Sequence, residues 1–124
     1  MMVVPTVLRD AEPPSTGDRI LILKPERLAL ALSGVKTHEV RGACLKAGKY
    51  YLGCRSQIWA QVHLGHGIKV DTIREWLRYQ PLHQVYRDTL PYKRTYIFPV
   101  LSLKRIRVPY HHPRGAIGIV KYVR

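Results

Sequence analysis

The chain has 124 residues and a hydrophobic fraction of 46%, enough for one domain with a single core and too few for two. Its 21 lysines and arginines stand against 8 acids, a formal charge of +13 that favours polyanions, of which nucleic acid is the commonest soluble one. No apolar run approaches a membrane span, and residues 1–9 lack the charged-then-apolar pattern of a secretory signal. Cys44 and Cys54 stand too far apart for a Cys-x-x-Cys site, so reduced thiols in a cytoplasmic protein are expected.

Residues 1–18 end in a polar, proline-containing segment without periodicity and read as a flexible arm, with some order near Val3 to Leu8. A single domain over residues 19–124 follows. Arg19 to Leu23 is a short apolar run between turn signals, which at that length predicts a buried strand. Pro25 suits the first turn of a helix and Gly34 its left-handed end, with Leu28, Ala31 and Leu32 as the packing stripe and Glu26 and Arg27 outside. Thr37 to Arg41 reads as a short strand, in which Thr37, Glu39 and Arg41 share a face.

After a loop, Lys49 to Cys54 forms a second core strand, where Gly53 marks a bulge or a close backbone approach. Ile58 to Leu64 alternates cleanly, placing Ile58, Ala60, Val62 and Leu64 on one face and Trp59, Gln61 and His63 on the other. Asp71 is the expected N-cap of a helix from Thr72 to about Tyr79 with Ile73, Trp76 and Leu77 inward. Leu82 to Arg94 has no clear period and reads as an irregular crossover containing a helical turn. Thr95 to Val108 is a long strand whose apolar phase shifts near Lys104 and Arg105, predicting a bulge there. Residues 109–115 form a loop, and Ala116 to Tyr122 the last strand.

The most distinctive chemistry lies between residues 34 and 41. Glu39 is the only carboxylate between Arg27 and Val70, and it is surrounded by Lys36, Arg41, Lys46, Lys49 and Arg55. Two readings follow from the residues themselves. Glu39 and Arg41 form an ordinary surface ion pair, or Lys36, Glu39 and Arg41 line a pocket at a helix–turn–strand corner. Next to two cations the carboxylate should stay ionised, which suits accepting hydrogen bonds from a base amine and suits a general acid poorly.

Gly34-x-Lys36-x-x-Glu39-x-Arg41 after a short helix resembles the signature of ASCH domains, small barrels of the PUA-like superfamily. Lys24-Pro25 and the Gly48-Lys49-Tyr50-Tyr51 strand fit the same order, so the resemblance spans roughly Arg19 to Tyr122. It implies an α+β, PUA-like β-barrel of five or six mostly antiparallel strands with two or three short helices. It also implies that Lys36, Glu39 and Arg41 face the cleft of the barrel. The family includes amidohydrolases that act on N4-acetylcytidine through a lysine and a threonine of this motif and a distant glutamate. Lys36 matches the lysine, but Glu39 occupies the threonine position, Thr37 lies two residues earlier, and the distant glutamate has no clear match.

Aromatic and basic residues interleave along the chain, as in proteins that stack bases and hold phosphates. Trp59, Tyr50 or Tyr51, Tyr86, Tyr92, Tyr96, Tyr110 and Tyr122 occur near Arg55, Arg87, Lys93, Arg94, Arg114 and Lys121. His111 suits phosphate contact or, in a ribonuclease, acid–base work. His63 and His66 are split by Gly65 without carboxylates nearby, so no metal and no cofactor is expected. The expectation is an RNA-binding domain, or one for another single-stranded nucleic acid. Its candidate contacts are Lys36, Thr37, Glu39, Arg41, Arg55, Trp59, Lys93, Arg94, Tyr110, His111 and Arg114. The alternative is a hydrolase on RNA or a modified nucleoside, with Lys36 and Glu39 as candidate catalytic residues. A protein-docking role for the basic face is the third reading.

Overall fold

The computed structural model describes residues 11–124. Chain order is Arg19–Ile22 (β1), Pro25–Leu32 (α1), His38–Arg41 (β2), Gly48–Cys54 (β3), Gln57–Leu64 (β4), Ile68–Val70 (β5), Ile73–Arg78 (α2), Gln80–His83 (α3), Thr95–His111 (β6) and Ile119–Lys121 (β7). The strands form one curled, mixed sheet in the order β2-β6-β4-β3-β1-β7, with β5 also on β6. Only β1 and β3 pair in parallel; the other pairs are antiparallel. Over the described residues this is an α+β fold with three short helices, an incompletely closed PUA-like barrel. No helix among the described residues is long and apolar enough to cross a membrane.

The sheet curls around a core of Leu21, Leu23, Tyr50, Leu52, Ala60, Val62, Leu64, Phe98 and Leu103, closed by Leu28 and Ala31 of α1. The alternation of β4 places Ala60, Val62 and Leu64 together in this core as expected, and all three are nearly inaccessible, as is Ile58. Ile58, however, belongs to a separate cluster with Ile20, Tyr51 and Tyr122 on the outer side. The register shift between Ile58 and Ala60 opposite β6 accounts for the switch. On β6 the extra residues fall between Arg105 and Tyr110, just beyond the phase shift visible in the sequence. Gly53 is a close approach, since a Cβ there would lie 2.8 Å from His112 and Ile20, and the bulge beside it belongs to β4, where Trp59 is the extra residue.

Residues 11–18 are tied to that outer cluster. Tyr51 donates its hydroxyl to the Glu12 carbonyl at 2.9 Å, Gly17 N–H donates to Tyr122 O at 2.9 Å, and Pro14 is buried. The order expected near Val3 to Leu8 lies outside the described residues. Cys44 is exposed and Cys54 buried, both as free thiols.

Three local expectations are corrected. Thr72, not Asp71, caps α2, accepting from Glu75 N–H at 3.2 Å, and the Glu75 carboxylate answers to the Thr72 hydroxyl at 3.1 Å. Of the three residues expected inward from α2, Trp76 alone is buried, because a six-residue helix lying on the rim buries one side chain of a turn. β6 runs on to His111, so the expected loop from residue 109 begins later, and β7 is shorter than predicted.

Candidate functional site

The helix–turn–strand corner forms as its sequence requires. Pro25 opens α1, and Gly34 turns the chain at φ 81°, donating its N–H to Ala31 O. Residues 36 and 37 then thread between α3 and β6: Thr37 N–H donates to Leu82 O, and Val100 N–H to Thr37 O, both at 2.9 Å. That passage buries Lys36, which is 3% exposed. Its ammonium donates to His83 O at 2.5 Å and lies 3.7 Å from Glu39 Oε1.

Glu39 is 5% exposed, so the surface-pair reading does not apply. Oε1 accepts from Val40 N–H at 3.0 Å and Oε2 from an Arg41 N–H at 3.2 Å. Burial by itself pushes this carboxyl upward, but Arg41, Lys36 and the Val40 amide outweigh it and hold the group below its usual range. Glu39 is therefore ionised. Burial lowers the Lys36 ammonium more than Glu39 restores it, with Arg27 and Arg41 adding repulsion.

Arg41 has a second task. The strand order leaves β2 and β7 at the two ends of the curled sheet's main path, with β5 a side branch on β6. Arg41 on β2 donates to Ile22 O of β1 at 3.1 Å and to Gly118 O, beside β7, at 3.3 Å. One guanidinium thus bridges the gap where backbone pairing fails, and its Nε stays buried without a partner. The gap is a cleft of about 250 Å³ with Glu39 and Arg41 at its floor. Ile22, Leu23, Ile117 and Gly118 line the β1–β7 side, and Lys24, Arg27 and Tyr92 complete the rim. The Tyr92 ring lies over Gly42, where a Cβ would meet it at 2.9 Å.

The predicted residues separate into groups. Glu39 and Arg41 line the cleft. Lys36 sits behind Glu39 against a nearly filled internal cavity, facing the core. Thr37 is also buried, its hydroxyl hydrogen-bonded to the His38 ring at 2.9 Å. Lys93 and Arg94 are exposed next to Tyr92, and Arg114 is exposed in the loop that carries Ile117 and Gly118. Arg55 and His111 gather instead at the β3–β4 turn, where Ser56 O meets His111 Nδ1 at 3.3 Å and accepts from His112 N–H. Trp59 is committed to packing, with its indole N–H donated to Cys54 O at 3.0 Å, and Tyr110 packs edge-on to Tyr122.

Arg27, Lys24, Ile117 and Gly118 were not legible as site residues, and Tyr92 appeared only as one aromatic among many. Their signal is tertiary, since they meet only when the two sheet edges do.

No known family model matches the sequence, and no curated protein matches it. Solved structures do. The ASCH protein of Zymomonas mobilis superposes with a TM-score of 0.69 at 17% identity, over 87% of this chain and 89% of that one. A serine-to-alanine variant of the same protein matches at a TM-score of 0.69 and 16% identity, over 90% of this chain and 92% of that one. A tyrosine-to-phenylalanine variant gives 0.69 and 16%, over 87% and 91%. The chain has the ASCH domain fold.

Proposed function

We infer that the cleft at the barrel seam binds a nucleotide of single-stranded RNA. The observation that carries this reading is an ionised, nearly buried carboxylate paired with a bridging guanidinium at the floor of an open cleft. An ionised carboxylate only accepts hydrogen bonds, and base amines are donors of the right geometry. Arg41, which also lines the cleft, sets a positive charge beside it. Tyr92 supplies a ring at the mouth for stacking, and Lys24 and Arg27 supply cations for phosphate. At about 250 Å³ the cleft is near the small end of ligand sites, which begin at roughly 300 Å³. That size suits a single base with its sugar.

The geometry supports binding more than turnover. Lys36 is engaged by His83 O and Glu39, and Lys36 and Thr37 are both buried outside the lining of the cleft, so neither reaches a ligand there as base or nucleophile. The test is equilibrium binding of labelled single-stranded RNA, competed by nucleoside monophosphates, with N4-acetylcytidine and RNA products followed in parallel. Saturable binding without turnover is expected. Rapid turnover lost in Lys36→Ala would replace the binding reading with the hydrolase one.

A further inference from the structure

We propose that the cleft continues across Arg27 into a second groove that takes the neighbouring nucleotide of the same strand, so that the natural ligand is at least a dinucleotide. This rests on the cleft reading above. The groove, of about 470 Å³, lies between α1 and residues 84–89, and Arg27 lines both it and the cleft. The Arg27 guanidinium makes no hydrogen bond or ion pair with a described residue, although it is near enough to repel Lys36 and His83. A partly exposed cation between two cavities, with no partner among the described residues, stands where the phosphate linking two nucleotides would lie.

The far side of the groove is a built shelf. Trp76 donates its indole N–H to Arg87 O at 2.9 Å, Val85 is buried, and Val85 N–H donates to His83 Nδ1 at 3.0 Å. His83 in turn stacks on Trp76 with ring centroids 3.9 Å apart. These contacts fix the backbone of residues 83–87 to the interior while turning Tyr86 outward, 71% exposed. Gln84 holds the left-handed conformation at φ 60°, a sparsely populated region for a residue with a side chain. Its side-chain Nε2–H donates to Pro81 O at 2.6 Å, and its side-chain Oε1 accepts the Tyr86 hydroxyl at 3.1 Å. The strained residue therefore orients an exposed aromatic ring. Arg87 is held as well, with two N–H groups on the Thr89 hydroxyl at 3.3 and 3.0 Å.

A ring kept exposed and oriented, beside an oriented guanidinium, is the arrangement that stacks a base and holds its phosphate. Glu26 also lines the groove, so the surface is not a bare phosphate trap; its carboxylate can accept from a base amine or a sugar hydroxyl.

The experiment titrates the full chain with a nucleoside monophosphate and with the matching dinucleotide, in wild type and in Tyr86→Ala, where the ring's exposure spares the fold. The dinucleotide should bind about tenfold tighter than the monophosphate. Tyr86→Ala should abolish that gain and leave monophosphate affinity unchanged. A wild-type protein that binds the monophosphate but gains nothing from the second nucleotide overturns the groove and leaves the cleft standing, as does a gain that survives Tyr86→Ala. Equal weakening of both ligands by Tyr86→Ala also overturns it. A wild-type protein that binds neither ligand overturns the cleft, and the groove with it.

Discussion

Glu39 is a single carboxylate with two cations upon it, and its burial changes what a substitution should do. An exposed pair is worth less than about 1 kcal/mol, but removing one member of a buried set strands the others and costs roughly 3–5 kcal/mol. Glu39→Gln keeps an acceptor and permits Lys36 to lose its proton, so a loss of roughly 2–4 kcal/mol is expected by denaturant unfolding. In the fraction that remains folded, affinity for a base-bearing ligand should fall about tenfold, and affinity for inorganic phosphate should not. A stability change under 1 kcal/mol would mean that the carboxylate is solvated in solution. His83 adds a pH term. Burial drops its imidazole from an ordinary 6.5 to about 4, and its hydrogen bonds require the neutral form, with Nδ1 accepting from Val85 and Nε2–H donating to Trp76 O. The unfolded ring takes a proton below 6.5 whereas the folded one resists until about 4, so acidification through that window removes stability, on the order of 3 kcal/mol in all. Glu39 acts with the same sign at lower pH: its folded-state value is depressed, and its contribution is lost as the carboxyl protonates. Unfolding followed from pH 7 to 4 should show the first loss in wild type and a shallower one in His83→Gln.

At the scale of elements, much was readable. α1 begins at Pro25 and turns at Gly34 as the sequence requires, and β4 buries its alternating face. Local rules govern those features: capping, left-handed glycine and a period of two. α2 was misjudged because Ile73 and Leu77 look like core residues, while a short helix on the rim has no second layer to cover them. β5 was missed because three residues carry no period; β6 supplies the pairing that creates it. Within the site, the motif exposed Glu39 and Arg41, but the depth of Lys36 depends on α3, some forty-seven residues away in the chain. Two glycines test how the elements are fitted. At Gly53 an added Cβ meets the buried His112 ring and Ile20 at 2.8 Å, so Gly53→Ala should cost about 1–3 kcal/mol in thermal or denaturant unfolding. At Gly42 the obstacle is Tyr92, 42% exposed, whose ring can turn about its Cα–Cβ bond although its Cβ stays 3.3 Å away. Gly42→Ala should therefore cost less stability than Gly53→Ala while displacing the cleft wall and weakening nucleotide binding. Equal effects of both substitutions on stability would show that Tyr92 is as firmly fixed as the core.

For the whole molecule, the central feature is a barrel that does not close. Two sheet edges meet across Arg41 instead of across backbone hydrogen bonds, and the opening so formed is the cleft. Lys24, Arg27 and Arg41 line that opening, and the overall charge of +13 makes association with a polyanion long-ranged. RNA affinity should consequently fall steeply between 50 and about 200 mM salt, in proportion to the phosphates neutralised. A flat salt dependence would remove the basic surface from the account. Charge alone places no ligand, and the most direct test is where one sits. A two-dimensional NMR titration of the intact protein with a nucleoside monophosphate reports every backbone amide at once. Saturable shifts are expected at Val40, Arg41, Gly42, Tyr92, Ile117 and Gly118, with Arg55, Ser56 and His111 unmoved. Shifts confined to the β3–β4 turn and His111, with the seam silent, would contradict binding in the cleft.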